Sequence, residues 1–187
     1  MIGNMIGMNN SIDRVNAICD NTLFQEQLQA IAKDERNRKF CKHGMDHLLD
    51  VARLSYIYYL ESRIDRGHLA SSITGAASSR VILNKDIIYS AAMLHDIGRH
   101  CEYVNGEPHD KAGARLARTI MSQCGYQEFE IKQVISAISN HREKGKSTNQ
   151  LGKLLYRADK SSRACFACEA RSECNWSFEK MNLKVDI

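Results

Sequence analysis

One proline, one tryptophan and few aromatic residues are the first features of this chain, and each scarcity excludes something. Proline breaks helix interiors, so a 187-residue sequence whose single proline is Pro108 leaves long stretches free for uninterrupted helices. No run approaches the roughly 18 consecutive apolar residues of a membrane span, and no membrane partner is expected. Residues 1–10 lack a basic stretch followed by an apolar one, so they do not read as a secretory signal. Charge of one sign is scarce as well. The formal net charge of +4 is spread along the chain, which gives a weak bias toward anionic ligands and no block suited to nucleic acid.

Cysteine is what the sequence has in quantity. Seven cysteines without an export signal point to a reducing cytoplasm, where thiols are more often free or metal-bound than paired. The remaining composition is that of one ordinary globular domain, long enough to bury a sizeable core. Its oligomeric state is not legible.

Hydrophobic periodicity predicts helices throughout. Residues 11–40 read as one or two amphipathic helices, and residues 45–64 as a longer one with Leu48, Val51, Ala52 and Ser55 on one face. Residues 65–85 are rich in Gly and Ser and read as a long flexible loop, either disordered or a lid. A helix over 86–97 carries Ile87, Ile88, Ala91, Ala92 and Leu94, with Gly98 as its stop signal. After a polar loop, Pro108 suits the first turn of a helix that runs to about residue 124. Helices over 127–141 and from about 150 follow the same logic, separated by a loop over 143–149. No strand alternation or internal repeat appears, so the fold class expected is all-α.

Histidines and aspartates fall on the apolar stripes of those helices. His47 is one turn before Val51, His95 one turn after Ala91, His109 one turn before Gly113 and His141 three residues after Ile138. Asp159 follows Leu155 by four, and residues three or four apart share a helix face. Asp96 adjoins His95 and stays close to the same stripe. A single core histidine usually has a dull explanation, but a buried carboxylate needs a partner. Six such residues from five predicted helices suit divalent transition metal, with iron, manganese, zinc, nickel and cobalt all compatible with imidazole and carboxylate donors.

The order of these residues resembles the HD-domain superfamily of metal-dependent phosphohydrolases. The matching segments are His47-Leu-Leu-Asp-Val-Ala-Arg, Leu94-His95-Asp96-Ile97-Gly98-Arg99, His109-Asp-Lys-Ala-Gly-Ala, Ile138-Ser-Asn-His141 and Arg157-Ala-Asp159-Lys160. The resemblance implies a compact helical bundle forming a single domain. Its core spans about 40–163, and 164–187 forms a cysteine-containing tail. It also implies His47, His95, Asp96 and Asp159 around one metal, with Asp96 bridging to a second ion held by His109 and His141. The implied activity is hydrolysis of a phosphoester or phosphoanhydride by a metal-activated hydroxide, on a small phosphorylated or nucleotide-like substrate. Relatives with the same six ligands also hold two irons and activate oxygen, and a non-catalytic nucleotide-sensing module is a third reading.

Around these positions Lys160, Arg99 and Arg157 are candidates to neutralise phosphate charge, with ordinary surface cations as the alternative. His43, one turn ahead of His47, reads as an exposed histidine, with proton donation as its functional alternative.

The tail places Cys165, Cys168 and Cys174 in a short turn-rich run. Cys41 lies six residues before His47, and Cys165 six after Asp159. Antiparallel helices sharing one metal would therefore bring those two thiols to the same end, each about 9 Å along the axis. Similar clusters accompany some bacterial HD-domain proteins. Structural zinc, an iron–sulfur or redox centre, and a set of free thiols all remain open for these four. Cys19, Cys101 and Cys124 read as small apolar residues.

Overall fold

The computed structural model describes residues 12–64, 83–142 and 149–185. Eight α-helices run through them: α1 (Asp13–Asp20), α2 (Thr22–Asp34), α3 (Met45–Ile64), α4 (Lys85–Leu94), α5 (Arg99–Asn105), α6 (His109–Gln123), α7 (Glu128–Ile138) and α8 (Gln150–Ser161). Three short 3-10 turns follow, at Cys165–Ala167, Arg171–Glu173 and Phe178–Lys180. There is no strand among the described residues, and the class is all-α.

Local sequence starts and stops these helices. Asn21, Asn84 and Asn149 precede α2, α4 and α8, and each side chain accepts a hydrogen bond from a backbone N–H three residues on, at 3.2, 2.8 and 2.7 Å. Gln127 and Glu130 form a reciprocal capping box at the start of α7. Gly106 and Gly125 adopt φ of +76°, the left-handed conformation that ends α5 and the turn after α6.

The central element is α4, which buries every residue from Asp86 to Leu94 except Tyr89. It packs on α1, α3, α7 and α8, while α6 lies against α5 and α7. Ile88, Met93 and Leu94 are wholly enclosed, together with Phe24 of α2, Ile120 and Met121 of α6 and Ile138 of α7. Cys19, Cys101 and Cys124 are partly buried against this core, as small apolar residues would be.

Two expectations change here. The helix predicted over 86–97 stops at Leu94, and residues 95–98 form a tight turn with Ile97 N–H to Leu94 O at 3.3 Å and Arg99 N–H to Asp96 O at 3.0 Å. The polar loop expected next is helix α5, which has no buried residue and so no apolar stripe to betray it. Gly98 serves close approach and not chain reversal: its φ is −84°. A Cβ there would meet the Gly113 nitrogen and the His109 carbonyl oxygen at 2.4 Å each. The glycine lets the turn after α4 lie directly on the first turns of α6. Of the expected loop 65–85, residues 65–82 lie outside the described residues, whereas Leu83 is buried and Lys85 already opens α4. The loop expected over 143–149 lies outside them too, except for the capping Asn149.

Candidate metal centre

Five helix ends converge on one point. His47 stands in the first turn of α3, His95 caps the C-terminus of α4 and His109 opens α6. His141 lies just past α7, and Asp159 is in the last turn of α8. Asp96 sits in the turn that Gly98 presses onto α6. All six side chains are buried.

The ligand atoms form two groups that share Asp96: His47, His95, Asp96 and Asp159 in one, and Asp96, His109 and His141 in the other, all mutually within 4.8 Å. Asp96 Oδ2 is 3.4 Å from His47 Nε2 and 3.2 Å from His95 Nε2. Its other oxygen, Oδ1, is 3.4 Å from His109 Nε2 and 3.8 Å from His141 Nε2. Asp159 Oδ1 completes the first group at 3.4 Å from His47 Nε2. Bonds of about 2.1 Å to one ion would place neighbouring N and O ligands about 3 to 3.5 Å apart, close to these separations.

The outward ring nitrogens explain why the Nε2 atoms turn inward. His95 Nδ1 donates to Ala92 O at 2.7 Å and His141 Nδ1 to Ile138 O at 2.6 Å. His109 Nδ1 is held by Glu102, whose other oxygen accepts from Arg142 at 3.2 Å. A carbonyl or carboxylate on Nδ1 leaves the Nε2 lone pair free for an ion. Both Asp96 oxygens and His95 Nε2 are fully enclosed without a hydrogen-bond partner of proper geometry. Buried orphans of this kind are rare in a folded protein. A divalent cation fits them by charge, by donor type and by spacing.

Electrostatics supports the same fit. Burial alone would raise Asp96, but His95, Arg99, His141 and His47 hold it well below the usual carboxylate range. Asp159 is likewise raised by burial and lowered further by His47 and His95. Burial disfavours charge on His95 too, yet the two aspartates win and hold its proton up to about pH 9. A metal ion would displace that proton. His109 is pushed down to about 4 by burial, with Arg99 and His141 adding to the effect, so its ring is neutral at pH 7.

Above the ligands opens a pocket of about 390 Å³, within the usual range for small-molecule sites. Lys160 and Arg99, two of the candidates for neutralising phosphate charge, line it. Lys160 Nζ pairs with Asp159 Oδ2 at 2.6 Å, and Arg99 Nε with Asp96 Oδ1 at 2.9 Å. Arg157 does not line it; its guanidinium stacks on Tyr58 at 3.7 Å. His43 overturns its first reading. It is buried, lines the pocket, and its Nδ1 lies 2.5 Å from Glu35 Oε1, with Nε2 4.0 Å from Asp96 Oδ2.

Sequence reasoning missed Arg163, whose buried guanidinium is 3.1 Å from His47 Nε2 and 3.3 Å from Asp159 Oδ1. Its place four residues after Asp159 was the available signal. It also missed the supporting carboxylates Glu35 and Glu102, which no local spacing connects to the histidines they hold.

The HD-domain profile matches residues 44–168. The chain belongs to the HD-domain family. His95 and Asp96 form a His–Asp pair at the centre of the matched segment, and the His/Asp cluster fits an HD-type metal site. Membership puts the protein in a superfamily of metal-dependent phosphohydrolases. This HD-domain chain is also 39% identical, over 93% of its length and 99% of the relative's, to an uncharacterised protein of Clostridium beijerinckii. No solved structure is significantly similar.

Proposed function

We propose that this HD-domain protein is a binuclear metal-dependent phosphohydrolase acting on a phosphoester or phosphoanhydride of a small nucleotide-like molecule. One observation carries the reading: the two oxygens of Asp96 face two separate groups of ligands. His47, His95 and Asp159 would hold one divalent ion with Asp96 Oδ2, and His109 and His141 the other with Oδ1. Bound there, two such ions supply a water of lowered pKa and a clamp for phosphoryl oxygens.

The chain's own groups serve the rest of the reaction. Arg38, Arg142 and Lys160 line the pocket mouth and favour an anionic substrate, while Phe40 and Trp176 offer flat apolar faces for a base. Lys160 lies 5.9 Å from the Trp176 ring, so charge and stacking surface adjoin. His43, whose Nδ1 is fixed by Glu35, turns Nε2 toward Asp96 at 4.0 Å, where the neutral ring can accept a proton from a water. A reducing cytoplasm suits the same reading, since all seven cysteines are free thiols. Among the described residues no helix is long and apolar enough to cross a membrane.

The test is phosphate release from a panel of nucleoside mono-, di- and triphosphates by protein loaded with each candidate metal. Activity in the wild type with loss to background in Asp96→Ala is the expected result. Full activity in Asp96→Ala would overturn the site. Oxygen uptake by iron-loaded protein without phosphate release would replace hydrolysis with oxidation.

A further inference from the structure

A second group of ligand-type side chains lies beside the pocket. Cys41, from the connection between α2 and α3, meets Cys165, Cys168 and Cys174 of the tail around one small cavity walled by Phe40, Met181 and Arg171. All four are free thiols, and Cys165 is buried. The first turn of α3 meets the last turn of α8 through His47 and Asp159, and that meeting of ends is what brings Cys41 to the tail.

The local backbone shows why the tail cysteines face the same way. Three successive turns link them: Cys168 N–H to Cys165 O at 3.3 Å, Arg171 N–H to Cys168 O at 3.2 Å and Cys174 N–H to Arg171 O at 3.3 Å. The extended backbone at Cys168 and Cys174 separates these turns and folds the tail back on itself, so that residues 165, 168, 171 and 174 all line the cavity with Cys41. The tail has almost no core to hold it there. From 164 to 185, Cys165 is the one buried residue, while Phe166, Phe178 and Val185 are exposed. A segment that buries so little apolar surface does not offset its ordering entropy without a staple.

Spacing selects the chemistry of that staple. Four thiolates at about 2.3 Å from one tetrahedral zinc would put their sulfurs about 3.8 Å apart. Among the described residues the groups of three or more ligand atoms within 4.8 Å of one another are the two His/Asp groups, and no three of these thiols join them. Sulfurs set wider round a common cavity suit a cluster in which iron and sulfide atoms fill the centre. We propose that Cys41, Cys165, Cys168 and Cys174 ligate a [4Fe–4S] cluster that staples the tail to the start of α3. Cys41, Cys165, Cys174 and Trp176 also line the catalytic pocket, so the cluster forms one of its walls. The proposal stands independently of the hydrolytic reading, because none of its ligands belongs to the His/Asp site.

The experiment is anaerobic purification of the full chain, followed by metal, acid-labile sulfide and visible absorption measurements. Sulfide is the deciding readout, since the His/Asp site can also hold iron but holds no sulfide. About four sulfides per chain are expected, with a broad visible band bleached by reductant. Both should be lost in Cys168→Ala and Cys174→Ala and kept in Cys101→Ala. Oxidative removal of the cluster should open the tail to protease near Arg171 while the helical core resists. Zinc without sulfide in the wild type would overturn the cluster, as would chains free of any thiolate-bound metal. These wild-type results decide the matter even where a cysteine variant fails to fold.

Discussion

Two buried polar clusters lie in this bundle, one at each side of α4, and they are built on opposite principles. Near the start of α4, Arg14 pairs with Asp86 at 2.5 Å and with Glu130 at 2.8 Å. Tyr126 donates to Asp86 at 3.1 Å and shares a hydrogen bond of 2.7 Å with Ser90, whose hydroxyl also reaches Asp86 O. The Arg14 guanidinium stacks on the Tyr126 ring at 4.1 Å. Charge is matched within the protein, and each of these side chains has its partner. At the far end of α4 the same helix delivers His95 and Asp96 to a cluster in which His95 Nε2 and both Asp96 oxygens have no hydrogen-bond partner of proper geometry. Satisfied networks specify a fold; a network left open toward one point is completed by something else. Burial of polar groups is therefore uninformative until their hydrogen bonds are counted.

Breaking the closed cluster should have the largest effect on stability. Asp86→Ala removes one of the two carboxylates on Arg14 and leaves Tyr126 with Ser90 alone, and should cost about 2 to 3 kcal/mol, less than for a fully enclosed pair because Arg14 keeps Glu130 and is a third exposed. Denaturant unfolding measures the loss, and metal content should stay at the wild-type value. Loss of metal in this variant would mean that the two ends of α4 are not independent.

The open cluster should respond the other way round. Glu102→Gln weakens the hold on His109 Nδ1 and should lower metal affinity about 10- to 100-fold while leaving metal-free stability nearly unchanged. Titration of the metal-free protein with the metal it carries when purified gives the affinity. An unchanged affinity would remove Glu102 from the site.

The smallest effect is a pH dependence of the metal-free protein. Burial lowers His43 from 6.5 to about 4, against the opposing pull of Glu35. Burial tends to raise Glu35, but His43 and Tyr103 hydrogen bonds bring it from 4.5 to about 2. Both groups bind fewer protons folded than unfolded, so their contribution is present at neutral pH and lost on acidification. For His43 the loss runs from pH 6.5 toward 4, and for Glu35 from 4.5 toward 2. Stability of His43→Asn should fall less steeply than wild type between pH 6.5 and 4; parallel curves would refute the assignment.

Much of this was legible in the chain itself. The long α3 and the apolar stripes of α6 and α8 follow from spacing and propensity, which are local. The six His/Asp positions were found because each lies within a turn of an apolar stripe and because their order matches a family. Helix α5 was not found, since a short helix lying on the surface through polar contacts has no stripe to show. His43 was misjudged for a related reason: its neighbours Lys42 and Gly44 look like surface, and the carboxylate that encloses it comes from residue 35.

The sequence alone determined the helical class, the helix boundaries that caps and glycines mark, and the identity of the side chains able to bind metal. Tertiary structure decided which way those side chains point. The ligands stand at helix ends, where periodicity fades, and their Nε2 atoms converge because carbonyls, Glu102 and the Ser162 hydroxyl take the other ring nitrogens. It also decided that Gly98 is needed for contact with α6 and that Cys41 joins three cysteines more than a hundred residues away. Contacts between distant segments depend on how helices pack, and no window along the chain contains that information.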